Sequence, residues 1–152
     1  MTEFARALYA FWNGFGLPAY PEGNVPCEGS VPCGGSVPCG GSVPCGGSVP
    51  ETDVQGRAVC PPYITYTLEK PDWGATALHQ ARIWMSGEGY ETIDAKLDEI
   101  AAAIPAGCGA LIRAGEGLLW LRRADAWVQM LDTGDRHLKA AQLSMEIRAY
   151  VV

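Results

Sequence analysis

A near-perfect six-residue repeat constrains the fold of this chain more than any other feature. Within residues 24–60 the unit Ser-Val-Pro-Cys-Gly-Gly recurs as far as Pro50, with cysteines at every sixth position from Cys27 to Cys45, and ETDVQGRAVC follows. Glycine and proline are dense, and valine is the one large aliphatic residue in each unit. Such a stretch buries too little apolar surface to offset the conformational entropy that is lost on ordering. We therefore predict that residues 24–60 form a loop inserted into a single domain that spans residues 1–152.

The same period is compatible with a second architecture, the parallel β-helix, in which short repeats stack around a continuous core. Four hexads supply little more than one three-sided rung, so we disfavour that fold. An inserted loop is tolerable because the free-energy cost of loop closure grows only logarithmically with loop length. The near identity of the copies indicates recent duplication, and a loop of this length usually has a role or a partner.

The cysteines raise the question of metal or disulfide chemistry, and they lie at positions 27, 33, 39, 45, 60 and 108. Zinc-binding pairs are commonly separated by two to four residues, whereas five residues separate consecutive repeat cysteines here. Disulfide frameworks need an oxidising compartment, and residues 1–16 do not read as a secretory signal. We expect reduced thiols, no metal or other cofactor, and a small buried Cys108. A metal- or redox-binding module using the repeat thiols stays open as an alternative.

Composition and charge narrow the function classes. Apolar residues make up 48% of the chain and charged residues 18%, which is unlike a disordered polyanion. No run of about 18 apolar residues occurs, so we expect no membrane-spanning helix and no membrane partner. A net charge of −6 with scattered arginines disfavours binding to nucleic acid, because neutralisation of the phosphates supplies most of the affinity of proteins for nucleic acids.

Hydrophobic periodicity predicts two helices. Residues 3–13 place apolar side chains at helical spacing (Phe4, Leu8, Phe11, Trp12). Residues 90–104 do the same in steps of three and four, and Pro105 stops the pattern (Tyr90, Ile93, Leu97, Ile100, Ile104). Each stripe indicates a helix that packs its apolar face against the core.

The remaining segments predict strands. Alternation or β-rich composition marks residues 17–20, 63–68, 77–85, both sides of a hairpin at 114–117, residues 128–131 and residues 141–151. The last segment alternates most regularly, with one apolar and one polar face, as in an antiparallel sheet covered on one side. The predicted order is α-β-β-β-α-β-β-β-β. We expect an α+β fold, an antiparallel sheet with two helices packed on one face.

No catalytic motif of the serine-hydrolase, zinc-protease or phosphate-loop type occurs in the sequence. We expect His79 to be a packed or exposed strand residue and His137 to be a solvated turn residue, neither of them catalytic. Asp94 and Asp98 are one helical turn apart, but nothing opposite them completes an acid–base pair, so a solvated helix face is expected. The sequence predicts that the protein is not an enzyme, and a small enzyme is the disfavoured alternative.

One surface-like cluster stands out, formed by Trp120, Arg122, Arg123 and Trp127. Tryptophan and arginine are enriched at the centres of protein interfaces, so the cluster is a candidate subunit contact. The aliphatic stems of arginines also cover core tryptophans in many folds. Both readings stay open at this point.

Six short segments resemble the tail terminator, or tail completion, family of long-tailed bacteriophages and prophages. They follow the order of that family outside residues 27–60, and they read EFARALYAFWNGFGLPAYPEGNVP, PPYITYTLEKP, HQARIWMS with GYETIDAKLDEIAAAI, GLLWLRR, VQMLD and LSMEIRAYVV. The repeat departs from the family by lengthening the loop between PEGNVP and PPYITY. The departure affects that loop and leaves the framework of the resemblance intact.

The resemblance implies a non-enzymatic hexameric ring that caps the phage tail tube and offers a docking surface to the head and neck. Its partners would be copies of itself, the tail tube protein and a neck or head-completion protein. It would lie in the virion at the head-proximal end of the tail, after assembly in the host cytoplasm. DNA would pass through the ring without specific binding, which suits the net negative charge.

Within such a ring the candidate subunit contacts are the four residues Trp120, Arg122, Arg123 and Trp127, together with the repeat valines Val31, Val37 and Val43. The repeat loop is expected to lie along a neighbouring subunit or to project from the ring. Another neck component, such as a head-completion or stopper protein, stays open as the alternative within the same class.

Overall fold

Two helices and six strands make up the part of the chain that the computed structural model describes, residues 3–22, 61–68, 72 and 74–151. The predicted repeat loop, with Val31, Val37 and Val43, lies outside these residues. The elements are α1 (Glu3–Asn13), β1 (Ala19–Pro21), β2 (Tyr63–Tyr66), β3 (Thr76–Ser86), α2 (Glu91–Ala103), β4 (Ala110–Ala114), β5 (Gly117–Leu131) and β6 (Leu138–Val151).

The strands form one sheet in the order β1-β2-β3-β6-β5-β4. The pairs β2–β3, β3–β6, β6–β5 and β5–β4 are antiparallel, but β1 and β2 run parallel. The α+β class is confirmed, whereas the expectation of a wholly antiparallel sheet is wrong. Parallel neighbours need a connection of a dozen or more residues, and the chain between β1 and β2 is long enough to supply it.

The main core joins the buried residues of both helices to alternate side chains of the sheet. α1 contributes Leu8 and Trp12, and α2 contributes Ile93, Leu97 and Ile100. The sheet contributes inward residues of all six strands (Ala19, Ile64, Tyr66, Ala81, Ile83, Met85, Ala114, Leu119, Leu121, Ala141, Leu143, Met145, Ile147, Ala149). Full burial of one large apolar side chain stabilises a fold by roughly 1.5–3 kcal/mol, so this cluster is the main stabilising feature of the described part.

The helical stripes are largely as the periodicity predicts. Leu8 and Trp12 are fully buried, and Phe4 and Phe11 pack against the core while partly exposed. Tyr90 is the exception, because it lies at the N-cap of α2 and is 54% exposed. None of the described helices is long and apolar enough to span a membrane.

Strand β5 combines two predicted strands into one. Its pairing with β6 runs through Arg123–Met145, shifts, and resumes at Val128–Leu143. The prediction of separate strands near 117–123 and 128–131 is wrong because a bulge accommodates the extra residues without ending the pairing. β6 also begins at Leu138, earlier than the predicted residue 141.

Candidate interaction surface

The sheet has a second face, opposite the main core, which we call the open face. On β5, Leu119 and Leu121 point into the core, so Leu118, Trp120 and Arg122 lie on the open face. The open face is buried at one end by a small cluster of Tyr63, Trp84, Leu138 and Ala140. Towards the β4–β5 end it carries exposed leucine and arginine side chains and half-buried aromatic rings.

Those side chains are aligned in rows across the strands. One row runs Thr76, Arg148, Trp120, Leu111 over four neighbouring strands, and the next runs Leu78, Glu146, Arg122. Directly opposed side chains on neighbouring strands have Cβ atoms roughly 4.5–5.5 Å apart, so each row is a contact chain. We name these residues, together with Arg113 and Tyr150, the arginine–aromatic patch.

Trp120 is the fixed centre of the patch. Its Nε1–H donates a hydrogen bond to the carbonyl oxygen of Cys108 at 2.8 Å. Its ring centroid lies 6.3 Å from that of Tyr150, and the Arg122 guanidinium lies 5.2 Å from the Trp120 ring centroid. The indole N–H is satisfied within the chain, which leaves the ring itself available for a contact.

A glycine makes this arrangement possible. Gly109 has φ +66°, and a Cβ atom there would clash with the Leu121 carbonyl oxygen and lie 3.0 Å from Trp120 Nε1. The loop between α2 and β4 therefore approaches β5 too closely for any side chain at residue 109. That close approach brings the Cys108 carbonyl within reach of the Trp120 indole.

The patch carries more positive than negative side chains. Arg122 Nη2 donates to Glu146 Oε2 at 2.6 Å, in a pair whose side chains are 47% and 42% exposed. The Arg148 guanidinium lies 5.4 Å from the Tyr150 ring centroid, and Arg113 is exposed on β4. Glu146 is the only carboxylate among the open-face positions of these rows, so the patch is net positive in an acidic chain.

The patch contains a small depression. Its volume is about 60 Å³, and it lies among Thr76, Trp120, Arg122, Glu146 and Arg148. Small-molecule sites usually enclose roughly 300–1,000 Å³, so this depression is too small for a typical ligand.

The structure separates the four residues of the candidate cluster into two pairs. Trp120 and Arg122 lie in the patch, whereas Arg123 points to the helix side of the sheet. Arg123 donates from Nε to the Ile104 carbonyl at 2.6 Å and from Nη2 to the Ala101 carbonyl at 2.7 Å. These contacts satisfy carbonyl groups at the C-terminal end of α2.

Trp127 completes this second pair. The Arg123 guanidinium lies 4.8 Å from the Trp127 ring centroid, and Trp127 packs partly buried against the main core. For Arg123 and Trp127 the contacts seen are those of an arginine covering a core tryptophan. A subunit contact through these two residues stays a prediction.

The two histidines lie in different surroundings. His79 is fully buried, and its Nε2 accepts a hydrogen bond from Trp12 Nε1 at 3.0 Å, which joins β3 to α1. His137 is 53% exposed, accepts a hydrogen bond from Arg136 Nε at 3.2 Å and lies 3.5 Å from Glu88. The predictions of a packed His79 and a solvated His137 are confirmed.

Tyr66 lies beside His79 in the same buried aromatic group. The Tyr66 ring centroid is 6.4 Å from that of Trp12 and 6.3 Å from that of His79. Burial, with a further contribution from Tyr9, raises the pKa of the Tyr66 phenol to about 12. Tyr66 therefore stays protonated at physiological pH and takes a packing role.

Cys108 and the acidic pair Asp94 and Asp98 are all at the surface. The exposed helix face predicted for the two aspartates is confirmed. The expectation of a buried Cys108 is wrong, because the turn after α2 places this residue at the surface with an exposed thiol. Among residues 3–22, 61–68, 72 and 74–151, no three His, Cys, Asp or Glu side chains come together as a metal-binding group.

Sequence reasoning found only Trp120 and Arg122 among the nine residues of the patch. Glu146, Arg148 and Tyr150 are recognisable as the polar face of an alternating strand, but nothing local links them to Trp120. Only the register of β6 against β5 brings Arg148 opposite Trp120. Leu111 is likewise found only through its pairing with Trp120.

Comparisons of the chain with protein-family models, with curated proteins and with solved structures found no match. The resemblance to tail terminators therefore stays a prediction from the segments quoted above. The case for a function depends on the geometry of the open face together with that resemblance.

Proposed function

We propose that this protein is a non-enzymatic structural subunit that works by binding other copies of itself. The observation that carries the proposal is the arginine–aromatic patch, in which the Trp120 indole is held on the open face with Arg122 stacked against it. Tryptophan and arginine are the residues most enriched among interface hot spots. A pre-oriented tryptophan also loses little conformational freedom when a partner covers it.

Exposed leucines support the same reading. Leu78 is 56% exposed and Leu111 is 65% exposed, and both lie in the rows that contain Arg122 and Trp120. Leu111 is directly opposite Trp120 and extends its apolar surface, whereas Glu146 and Arg148 on β6 lie between Leu78 and Trp120. Covering such area contributes about 25 cal/mol per Å² removed from water, which favours association.

We also propose where the two helices lie on the sheet. In our proposal both helices pack on one face of the sheet, since buried residues of α1 and α2 share one cluster with the inward side chains of the strands. The open face is then left for contacts between subunits. The inserted repeat loop belongs to the same single domain in this arrangement.

For the assembly we propose the ring that the resemblance implies, a hexamer at the head-proximal end of a phage tail. A closed ring lets every copy use the same two surfaces, with none left over. The ring would cap the tail tube and offer a docking surface to the neck protein. The net charge of −6 supports a lumen through which DNA passes without adhering.

Electron microscopy of the purified full-length chain mixed with tail tubes tests this proposal. We expect rings on the tube end that faces the head, in a single layer. Rings that bind the head-side connector and ignore the tube would favour the alternative, a stopper or head-completion protein. A chain that forms no rings and binds neither structure would contradict the proposal.

A further inference from the structure

The outer face of α2 is acidic, in contrast to the patch. Glu91, Asp94 and Asp98 are exposed on it at positions i, i+3 and i+7. Lys96 is the one cation on this helix, and its Nζ donates to both Glu99 Oε2 and the Phe15 carbonyl. None of the ion pairs between described residues involves Glu91, Asp94 or Asp98.

The patch offers the complementary charge. Arg122 already has a partner in Glu146, but Arg113 and Arg148 take part in no ion pair within the described ranges. In the pairing of β5 with β6, Arg122 is opposite Glu146 and Trp120 is opposite Arg148, so the two arginines are diagonal neighbours. Diagonal positions on a sheet are roughly 7–8 Å apart.

The spacing of the carboxylates matches that of the arginines. Side chains at i and i+4 on a helix, such as Asp94 and Asp98, have Cβ atoms about 5–6 Å apart. Long arginine side chains cover the small difference between the two spacings. A helix laid across the strands can therefore present both carboxylates to both arginines at once.

We infer that the arginine–aromatic patch of one copy binds the acidic outer face of α2 on the next copy. This inference rests on the proposed function, that the chain assembles with itself. The two surfaces are different, so the contact is head-to-tail, and repeating it generates a closed ring when the rotation closes. Trp120, Leu78 and Leu111 provide the apolar contact, and the charges set orientation and register.

Charge reversal tests the inference directly. The sheet-reversed variant carries Arg122→Glu and Arg148→Glu, and the helix-reversed variant carries Asp94→Lys and Asp98→Lys. In either variant alone, like charges face each other across every contact. We expect each to self-associate about tenfold or more weakly than the wild type in native mass spectrometry or sedimentation at low salt.

Mixing the two variants restores opposite charges. The reversed sheet of one variant then meets the reversed helix of the other, and the two unaltered surfaces also match. We expect equimolar mixtures to recover assembly, with the two variants alternating around the ring. Recovery also proves that each variant is folded.

The control is Arg6→Glu, which reverses one exposed arginine on α1, an element that belongs to neither surface. We expect wild-type assembly from this control. If the sheet-reversed variant assembles like the wild type, or if the mixture does not assemble while both variants melt like the wild type, the inference is overturned. Wild-type rings in those same experiments would leave the proposed self-assembly intact, whereas a monomeric wild type would refute both.

Discussion

Trp120 is the residue on which the account depends most, because its position is fixed before any partner arrives. The Cys108 carbonyl holds its indole N–H, and Arg122 and Tyr150 hold its ring. A side chain fixed in this way loses little entropy on binding, so most of its contact energy goes into affinity. In the proposed assembly, Trp120 would therefore contribute more to association than to folding.

We predict that Trp120→Ala weakens self-association about tenfold to a hundredfold, as expected for a hot-spot residue. Sedimentation velocity over a range of concentrations measures the change. The matched control is Tyr9→Ala, which removes another exposed aromatic ring from α1, away from the patch. Equal weakening in both variants would contradict a specific role for Trp120.

The close approach at Gly109 gives a second prediction about a single residue. Gly109→Ala forces a Cβ atom against the Leu121 carbonyl, so the loop must move away from β5 and the Trp120–Cys108 bond is strained. Gly107 also has a positive φ, of +88°, but a Cβ atom there meets nothing within 4 Å. We expect Gly107→Ala to cost about 1 kcal/mol of unfolding free energy and Gly109→Ala clearly more. Equal losses in chemical denaturation would show that the close approach is unimportant.

Tyr66 makes the free energy of unfolding depend on pH in the alkaline range. The folded state holds the pKa at about 12, whereas an unfolded tyrosine has a pKa near 10. The stabilising effect is therefore fully present below pH 10 and is lost as pH rises from 10 to 12. We expect the wild type to lose up to about 1.4 kcal/mol per pH unit over this window relative to Tyr66→Phe. Parallel stability curves for the two proteins would contradict the raised pKa.

Individual elements show how adjacent residues on one strand take different roles. Arg122 and Arg123 are neighbours on β5, yet one faces the open surface and the other binds carbonyl groups at the end of α2. Strand alternation alone separates them by function. The C-terminal end of α2 therefore depends on a side chain from another element.

Arg122 and Arg123 allow a matched comparison of alanine substitutions at two neighbouring arginines. We predict that Arg123→Ala lowers the free energy of unfolding by about 2–3 kcal/mol, because two charge-assisted hydrogen bonds to α2 are lost. Arg122→Ala removes only an exposed ion pair and should cost less than about 1 kcal/mol. We expect the reverse order for self-association, with Arg122→Ala the more damaging. Chemical denaturation and sedimentation on both variants check the two orders together.

The elements also show what could be predicted from the sequence. The helices were predictable because their apolar stripes are local, as at Leu8 and Trp12. The single strand β5 was not, because Ala124-Asp125-Ala126 interrupts its alternation and only the pairing with β6 carries the strand through. The parallel β1–β2 pair was equally hidden, since strand direction depends on a distant partner.

The residues of the arginine–aromatic patch also fall into two groups, those that the sequence predicts and those that it does not. Trp120 and Arg122 were predictable from residue type and closeness in sequence. Arg148, Tyr150 and Leu111 join them only through the register of three strands. Cross-strand register is a property of the folded sheet, which explains why sequence reasoning found only part of the patch.

At the scale of the whole molecule, the chain has a positive sheet patch, an acidic α2 face and an overall negative charge. Two different complementary surfaces on one molecule favour head-to-tail assembly over a symmetric dimer. Salt should weaken such assembly, because the charge pairs at the rim are screened at high ionic strength. The apolar contact around Trp120 should retain part of the affinity.

Native mass spectrometry of the purified chain over a rising concentration series measures directly whether the protein assembles with itself. We predict a closed assembly of fixed copy number, expected to be six, with a mass that is that multiple of 16.2 kDa. Raising the concentration should increase the amount of that species without creating larger ones. A species that stays at 16.2 kDa throughout the series would contradict the account.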